Sequence, residues 1–193
     1  MVEKEDLDFL RFLEDYKERN LSFEDRVKNP HFYYQFALER INERNCLSVL
    51  DVGCADGVFS RLCQKQGLKV SGVEISPLAK EEYRKNTKNE VFENIEQISS
   101  QKFDAVVLLE ILEHLSAPQE MLSKTWNIAN KMVVFTVPIK DSLPDKFHKV
   151  RFDFYDVYDI CSALTDNFRI YMINKFQRYG NPLNLFGGVL YKD

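Results

Sequence analysis

The chain has 193 residues, 45% of them hydrophobic, and its 26 basic and 30 acidic side chains leave a net charge of −4. That length suits one compact domain with a sizeable core, and the mildly acidic balance lacks the basic footprint that a phosphate backbone demands, which argues against nucleic acid as a partner. No window approaches the roughly 20 apolar residues of a membrane span, and the charged opening MVEKEDLDF does not read as a secretory signal.

Residues 1–45 read as an N-terminal helical cap and 46–193 as a single compact unit. In the first part Leu7, Leu10, Leu13 and Tyr16 recur near the helical period, as do Phe32, Phe36, Leu38 and Ile41, with Asn29-Pro30 as the break between two helices. From residue 47 the texture changes. Short apolar runs (LSVLDVG, KVSGVEI, EVFEN, FDAVVLLE, KMVVFTVP) alternate with GVFSRLCQKQ, PLAKEEYRKN, a short NIEQISS and APQEMLSKTWNIAN. This alternation predicts a doubly wound α/β sheet whose parallel strands are buried on both faces. After Pro138 a polar loop, KDSLPDKFHK, leads to a helix with Phe154, Val157, Ile160, Cys161 and Leu164 on one face. Two final strands, FRIYMINKFQRYG and LFGGVLYKD, are joined by a Gly-Asn-Pro turn, so the sheet is expected to end in an antiparallel hairpin.

Four cysteines stand at 46, 54, 63 and 161 with no C-x-x-C pair and no clustered histidines. A structural zinc site is not expected, and sparse cysteines without an export signal suit a reducing cytoplasm.

Chemistry concentrates first in VLDVGCADGVFS, residues 49–60. A strand there runs into a helix, and in an open parallel sheet ligands bind beyond the carboxyl ends of the strands. Gly53 and Gly57 allow a sharp turn and a close backbone approach. The pattern D-x-G-x-x-x-G differs from the G-x-G-x-x-G of dinucleotide sites, and Asp51 and Asp56 would repel a pyrophosphate. Beside a cationic or zwitterionic nucleoside they are favourable. About 20 residues on, Glu74 ends the next strand, where an acid can accept from ribose hydroxyls. Each residue also has a structural reading: turn glycines, a helix N-cap for Asp56, a solvated strand end for Glu74.

VLDVGCADG followed by GVEIS resembles the first two motifs of class I S-adenosylmethionine-dependent methyltransferases, and the resemblance runs through FDAVVLLEILEHL and VVFTVP to the terminal hairpin. It is similar to the ubiquinone-biosynthesis O-methyltransferase-like group, methyltransferase types 11 and 23. The resemblance implies a mostly parallel seven-stranded sheet, S-adenosylmethionine as cofactor and a small-molecule acceptor. By it, Asp51, Gly53, Cys54, Ala55, Asp56 and Gly57 form the turn that cradles the methionine part, and Glu74 holds the ribose. Ile75, Asn94 and Ile95 fall at the adenine, although relatives often carry an acid where Asn94 stands. Leu109 and Glu110 would line the cleft.

A second constellation is LEILEHL. Glu110, Glu113 and His114 at spacings of three and four are expected on one face of a helical turn, and His148 falls in a loop facing the same sheet edge. This is similar to metal-dependent O-methyltransferases of the ubiquinone-biosynthesis and small-RNA 3′-end types, which implies a divalent metal (Mg²⁺ or Mn²⁺) on Glu110, Glu113, His114 and His148. E-H-L after this strand also occurs in relatives without metal, where it would only orient the helix start and the cofactor. A hydroxyl or ammonium acceptor must still lose a proton, and His148 and His114 are the candidates to take it. Tyr33 and Tyr34 are acceptor-contact candidates; Phe32 and Phe36 are assigned to the core. Alternatives that remain open are a non-catalytic cofactor-binding or interaction domain, a metal-dependent RNA 2′-O-methyltransferase, and a nicotinamide-dependent oxidoreductase.

Overall fold

The apolar runs assemble into one seven-stranded sheet, seen in a computed structural model that describes residues 4–140, 148–175 and 183–193. Helices α1 (Lys4–Glu18), α2 (Phe23–Lys28) and α3 (Phe32–Glu43) come first. They lead into β1 (Ser48–Val52), α4 (Val58–Lys65), β2 (Lys69–Val73), α5 (Pro77–Thr87) and β3 (Val91–Phe92). A 3-10 turn (Ile95–Ile98), β4 (Phe103–Leu109), a second 3-10 turn (Leu112–His114), α6 (Pro118–Ile128) and β5 (Ala129–Pro138) follow. The chain closes with α7 (Phe154–Ser162), β6 (Phe168–Lys175) and β7 (Leu183–Tyr191).

The strand order is β3-β2-β1-β4-β5-β7-β6. The first five strands are parallel, and β7 lies antiparallel between β5 and β6. Winding therefore runs outward from β1 to β3 and then reverses to β4, which opens a crevice at the carboxyl ends of β1 and β4. Alternation along the central strands divides the core. Ala105, Val107 and Leu109 of β4, with Met132 and Val134 of β5, join Phe36, Ile41, Phe59 and Cys63 on one face. Val106, Leu108, Val133, Phe135 and Val137 join Leu122, Val157, Ile160 and Cys161 on the other. Burial on both faces is why these runs lack polar alternation.

The polar loop and the Gly-Asn-Pro turn fall largely on 141–147 and 176–182, outside the described residues. Three expectations change. A separate helix, α2, stands between the two expected ones, started by a capping box in which Ser22 and Asp25 bond each other's backbone N–H groups. In α1 the inward side carries Asp6 and Phe9, whereas Leu7 and Leu10 are exposed. In α7 only Val157, Ile160 and Cys161 are buried; Phe154 is exposed and Leu164 lies half-buried beyond the helix end. All four cysteines are free and buried, and desolvation pushes each thiol up, Cys46 to about 11 and Cys161 to about 12.

Candidate active site

The turn after β1 forms one wall of the crevice. Gly53 has φ +74°, and its N–H donates to the Val73 carbonyl at 2.8 Å, tying the turn to β2. A Cβ at Gly53 would stand 2.1 Å from Cδ1 of Ile111, so the turn after β4 lies directly on it. Ala55 is also left-handed, with φ +46°, a conformation that costs a non-glycine residue of order 1–3 kcal/mol. The Glu74 carboxylate holds it there by accepting the Ala55 N–H at 3.0 Å on one oxygen and the Ser76 N–H at 2.9 Å on the other. Burial outweighs these bonds and raises the Glu74 carboxyl above its usual range. Each oxygen retains a second lone pair for a ligand hydroxyl.

Asp51 is almost wholly buried and accepts the Ser60 hydroxyl at 2.7 Å. Burial raises its carboxyl to about 7. Asp56 does not share the ligand-facing role expected of it. The Arg26 guanidinium of α2 grips its carboxylate bidentately, with Nη1–Oδ1 at 3.1 Å, and both side chains are buried. Its charge is neutralised inside the protein, so Asp51 and Glu74 are the acidic pair of this rim. Gly57 starts α4 at φ +91°, and the Cys54 side chain packs against Tyr83 and Val91. Ile75 is exposed at the rim. Asn94 spends its side chain capping the 3-10 turn through the Gln97 N–H, and Ile95 faces the core. Leu109 is buried toward α3 and α4.

The opposite wall is the turn after β4. Glu110 has φ +59°, and its N–H reaches the Thr136 carbonyl at 3.1 Å. That left-handed bend ends the strand, and a 3-10 turn starts only at Leu112. Glu110, Glu113 and His114 therefore do not share one helical turn. Burial raises the Glu110 carboxyl to about 7, opposed by a hydrogen bond from Thr136. Its Oε1 is buried without a hydrogen-bond partner among the described residues.

Glu113 is buried, and its carbonyl accepts the N–H groups of Lys149 at 2.8 Å and Val150 at 3.1 Å. This stitch brings His148 beside His114, with ring centroids 5.1 Å apart and planes at 70°. Glu113, His114 and His148 each offer one ligand atom within 4.8 Å of the others, and Glu110 is not in that group. Two imidazoles and a carboxylate fit a divalent ion of the Mn²⁺-to-Zn²⁺ series better than Mg²⁺, which prefers oxygen throughout.

Tyr33 and Tyr34 form an aromatic cluster with His31 at the start of α3, and Tyr34 lies 5.6 Å from Phe59. Phe36 is buried as expected; Phe32 is only half-buried. Sequence reasoning missed Arg26, Ser60, Tyr83 and the pair Asp6–Ser76, in which the Ser76 hydroxyl donates to Asp6 at 2.6 Å. The Ser-Phe-Glu-Asp spacing of a capping box was the available signal for α2 and its arginine.

This strand order, with a glycine turn and two acids at the switch point, defines the Rossmann-like fold of class I methyltransferases. Residues 8–166 match the model of a family described as a methyltransferase domain, and the chain belongs to that family. It is similar to the ubiquinone biosynthesis O-methyltransferase of Hahella chejuensis, 28% identical over 144 residues that cover 66% of this chain and 59% of the relative. The mitochondrial counterpart of Schizosaccharomyces pombe is 33% identical over 100 residues, 45% of this chain and 36% of that one. The chain thus matches between 36% and 59% of these relatives' length. Among solved structures, magnesium protoporphyrin IX methyltransferase from Synechocystis PCC 6803 with bound SAH superposes with a TM-score of 0.70 at 17% identity, covering 96% of this chain and 95% of that one. A SAM dependent methyltransferase from Archaeoglobus fulgidus gives 0.69 at 21% identity, covering 94% and 99%. Among the described residues no helix is long and apolar enough to cross a membrane.

Proposed function

We propose that this chain transfers a methyl group from S-adenosylmethionine to a hydroxyl or amine of a small-molecule acceptor. The observation that carries the reading is the crevice at the β1–β4 switch point, floored by Gly53 and edged by Asp51 and Glu74 on one side and Glu110 on the other. When bound, the cofactor supplies a sulfonium methyl that moves by in-line displacement, and holding the reactants in line provides much of the rate.

In this reading Asp51 attracts the cationic methionine end, and the Gly53 backbone lies against it. Glu74 accepts from the ribose hydroxyls. Ile75 flanks the adenine, with the backbone at Asn94 and Ile95 at its edge, and Leu109 and Glu110 close the cleft. The acceptor enters between Tyr33 or Tyr34 and the segment leading to Phe154, under the cap of residues 1–45. His148, with His114 beside it, takes the acceptor proton. Alternatively Glu113, His114 and His148 would hold a divalent metal, which would stand in for the histidine base by Lewis-acid activation of an acceptor hydroxyl.

The test is a melting series on the full chain with S-adenosylmethionine, S-adenosylhomocysteine or NAD, each with and without Mg²⁺, Mn²⁺ or Zn²⁺. Nucleoside at 100 times its dissociation constant should stabilise the protein by about 2.7 kcal/mol, and NAD should do nothing. Gly53→Ala should abolish the shift. A shift with NAD alone would overturn the reading in favour of an oxidoreductase. Nucleoside binding with no methyl transfer to any phenol, amine or RNA 3′ end would leave a binding domain.

A further inference from the structure

We infer that Ser60 and Tyr83 are positioning residues for the cofactor acid: a one-way hydrogen-bond relay from Tyr83 through Ser60 holds Asp51 ready to meet a cation. The inference rests on the proposed role of Asp51.

The direction of the relay follows from counting protons. An ionised carboxylate only accepts, so whenever Asp51 is ionised the single hydroxyl proton of Ser60, 2.7 Å from Asp51 Oδ2, is committed to it. Ser60 Oγ also lies 3.0 Å from Tyr83 Oη. Having given its proton away, Ser60 can only accept there, and Tyr83 must donate. Hydrogen bonds aligned in this way polarise one another, and the last one, to the charged group, gains most.

Three separate elements deliver the three side chains: Asp51 from β1, Ser60 from α4 and Tyr83 from α5. Ser60 and Tyr83 are both wholly buried. The strand between them is shaped to admit the phenol. A Cβ on Gly72 of β2 would stand 2.5 Å from Cys54 Sγ and 2.8 Å from Tyr83 Cζ, so the ring occupies space that only glycine leaves.

The titratable groups set around Asp51 are Glu74 at the end of β2, Cys54 in the turn, Cys63 on α4 and Tyr83 on α5. None is cationic. Glu74 disfavours the ionised form of Asp51, while the Ser60 hydrogen bond favours it. Asp56, the next acid along, is neutralised by Arg26. The relay therefore opposes burial and Glu74 in favour of the ionised form of Asp51, and a cation arriving from the crevice completes that ionisation.

The test titrates the Asp51 carboxyl by ¹³C NMR in the free full-length chain, for wild type, Ser60→Ala, Ser60→Thr and Tyr83→Phe. Nucleoside affinity is measured by calorimetry across the same pH range. Ser60→Ala should raise the Asp51 midpoint by about one to two pH units, the equivalent of one charge-assisted hydrogen bond. Tyr83→Phe, which keeps the ring, should raise it by about half that. Ser60→Thr should restore it. The affinity for S-adenosylmethionine should rise with pH through the same midpoints. An Asp51 midpoint that stays put in both Ser60→Ala and Tyr83→Phe overturns the relay, whatever happens to melting temperature. Wild type that binds neither nucleoside overturns the cofactor reading instead, and the free-protein titration still decides the relay.

Discussion

The two walls of the crevice are built differently. On the β1 side nearly every polar group is already bonded within the protein: Asp51 to Ser60, Asp56 to Arg26, Glu74 to the Ala55 and Ser76 amides. On the β4 side Glu110 keeps a buried oxygen without a hydrogen-bond partner among the described residues, and His114 and His148 stand half-exposed. A wall bonded to itself presents one fixed shape and suits a ligand that never changes. A wall with a buried acceptor left over and two half-exposed imidazoles is where proton or metal chemistry can still occur. The contrast is what the proposed function builds on, with cofactor binding on the first wall and acceptor activation on the second.

The largest effect should come from the bonded wall. Asp56→Ala takes the bidentate carboxylate away from the buried Arg26 guanidinium and should cost about 3–5 kcal/mol, measured by urea denaturation. Replacing both, Arg26→Met with Asp56→Leu, should cost less than either single change. Equal losses would mean the pair is not truly buried.

Next comes pH. The Asp51 and Glu110 carboxyls are raised to about 7, above their ordinary 3.8 and 4.5, so the fold favours their protonated forms. That contribution is complete below about pH 4 and is lost as pH rises through about 7, by a few kcal/mol at most. The free protein should melt higher at pH 5.5 than at pH 8, and Asp51→Asn should flatten the trend. Saturating S-adenosylmethionine should protect most at the alkaline end.

A smaller effect, confined to turnover, is expected on the open wall. His148→Ala should lower kcat by about 10²-fold while moving stability by under about 0.5 kcal/mol. Unchanged kcat, with no response to Mn²⁺ in either protein, would remove both the base and the metal from this site. Smallest of all, Asn94→Ala should cost about 0.5 kcal/mol through its lost cap and leave nucleoside affinity within about twofold. A tenfold loss of affinity would put the Asn94 side chain, and not only its backbone, at the adenine edge.

Much of the frame is legible in the sequence. Each central run is a strand because both faces are buried, and Gly57 turns left-handed where α4 starts. What escaped depends on contacts across long separations. Arg26 meets Asp56 from 30 residues away, and no local spacing announces that pairing. Residues 7, 9, 10, 12 and 13 are all apolar, so α1 offers two competing stripes, and its inward face is chosen by Asp6 reaching the start of α5. The helical spacing of Glu110, Glu113 and His114 misled because φ at Glu110 is a single-residue event that breaks the period.

The seclusion of the cysteines has a practical consequence. With their thiols pushed up and shielded, the folded protein should resist alkylating dyes, and each dye molecule that attaches records a moment when its surroundings came apart. Cys54 lies against Tyr83, whereas Cys161 lies in α7. Labelling rates at these two positions would therefore clock, residue by residue, whether the nucleoside end of the molecule breathes independently of the far helix.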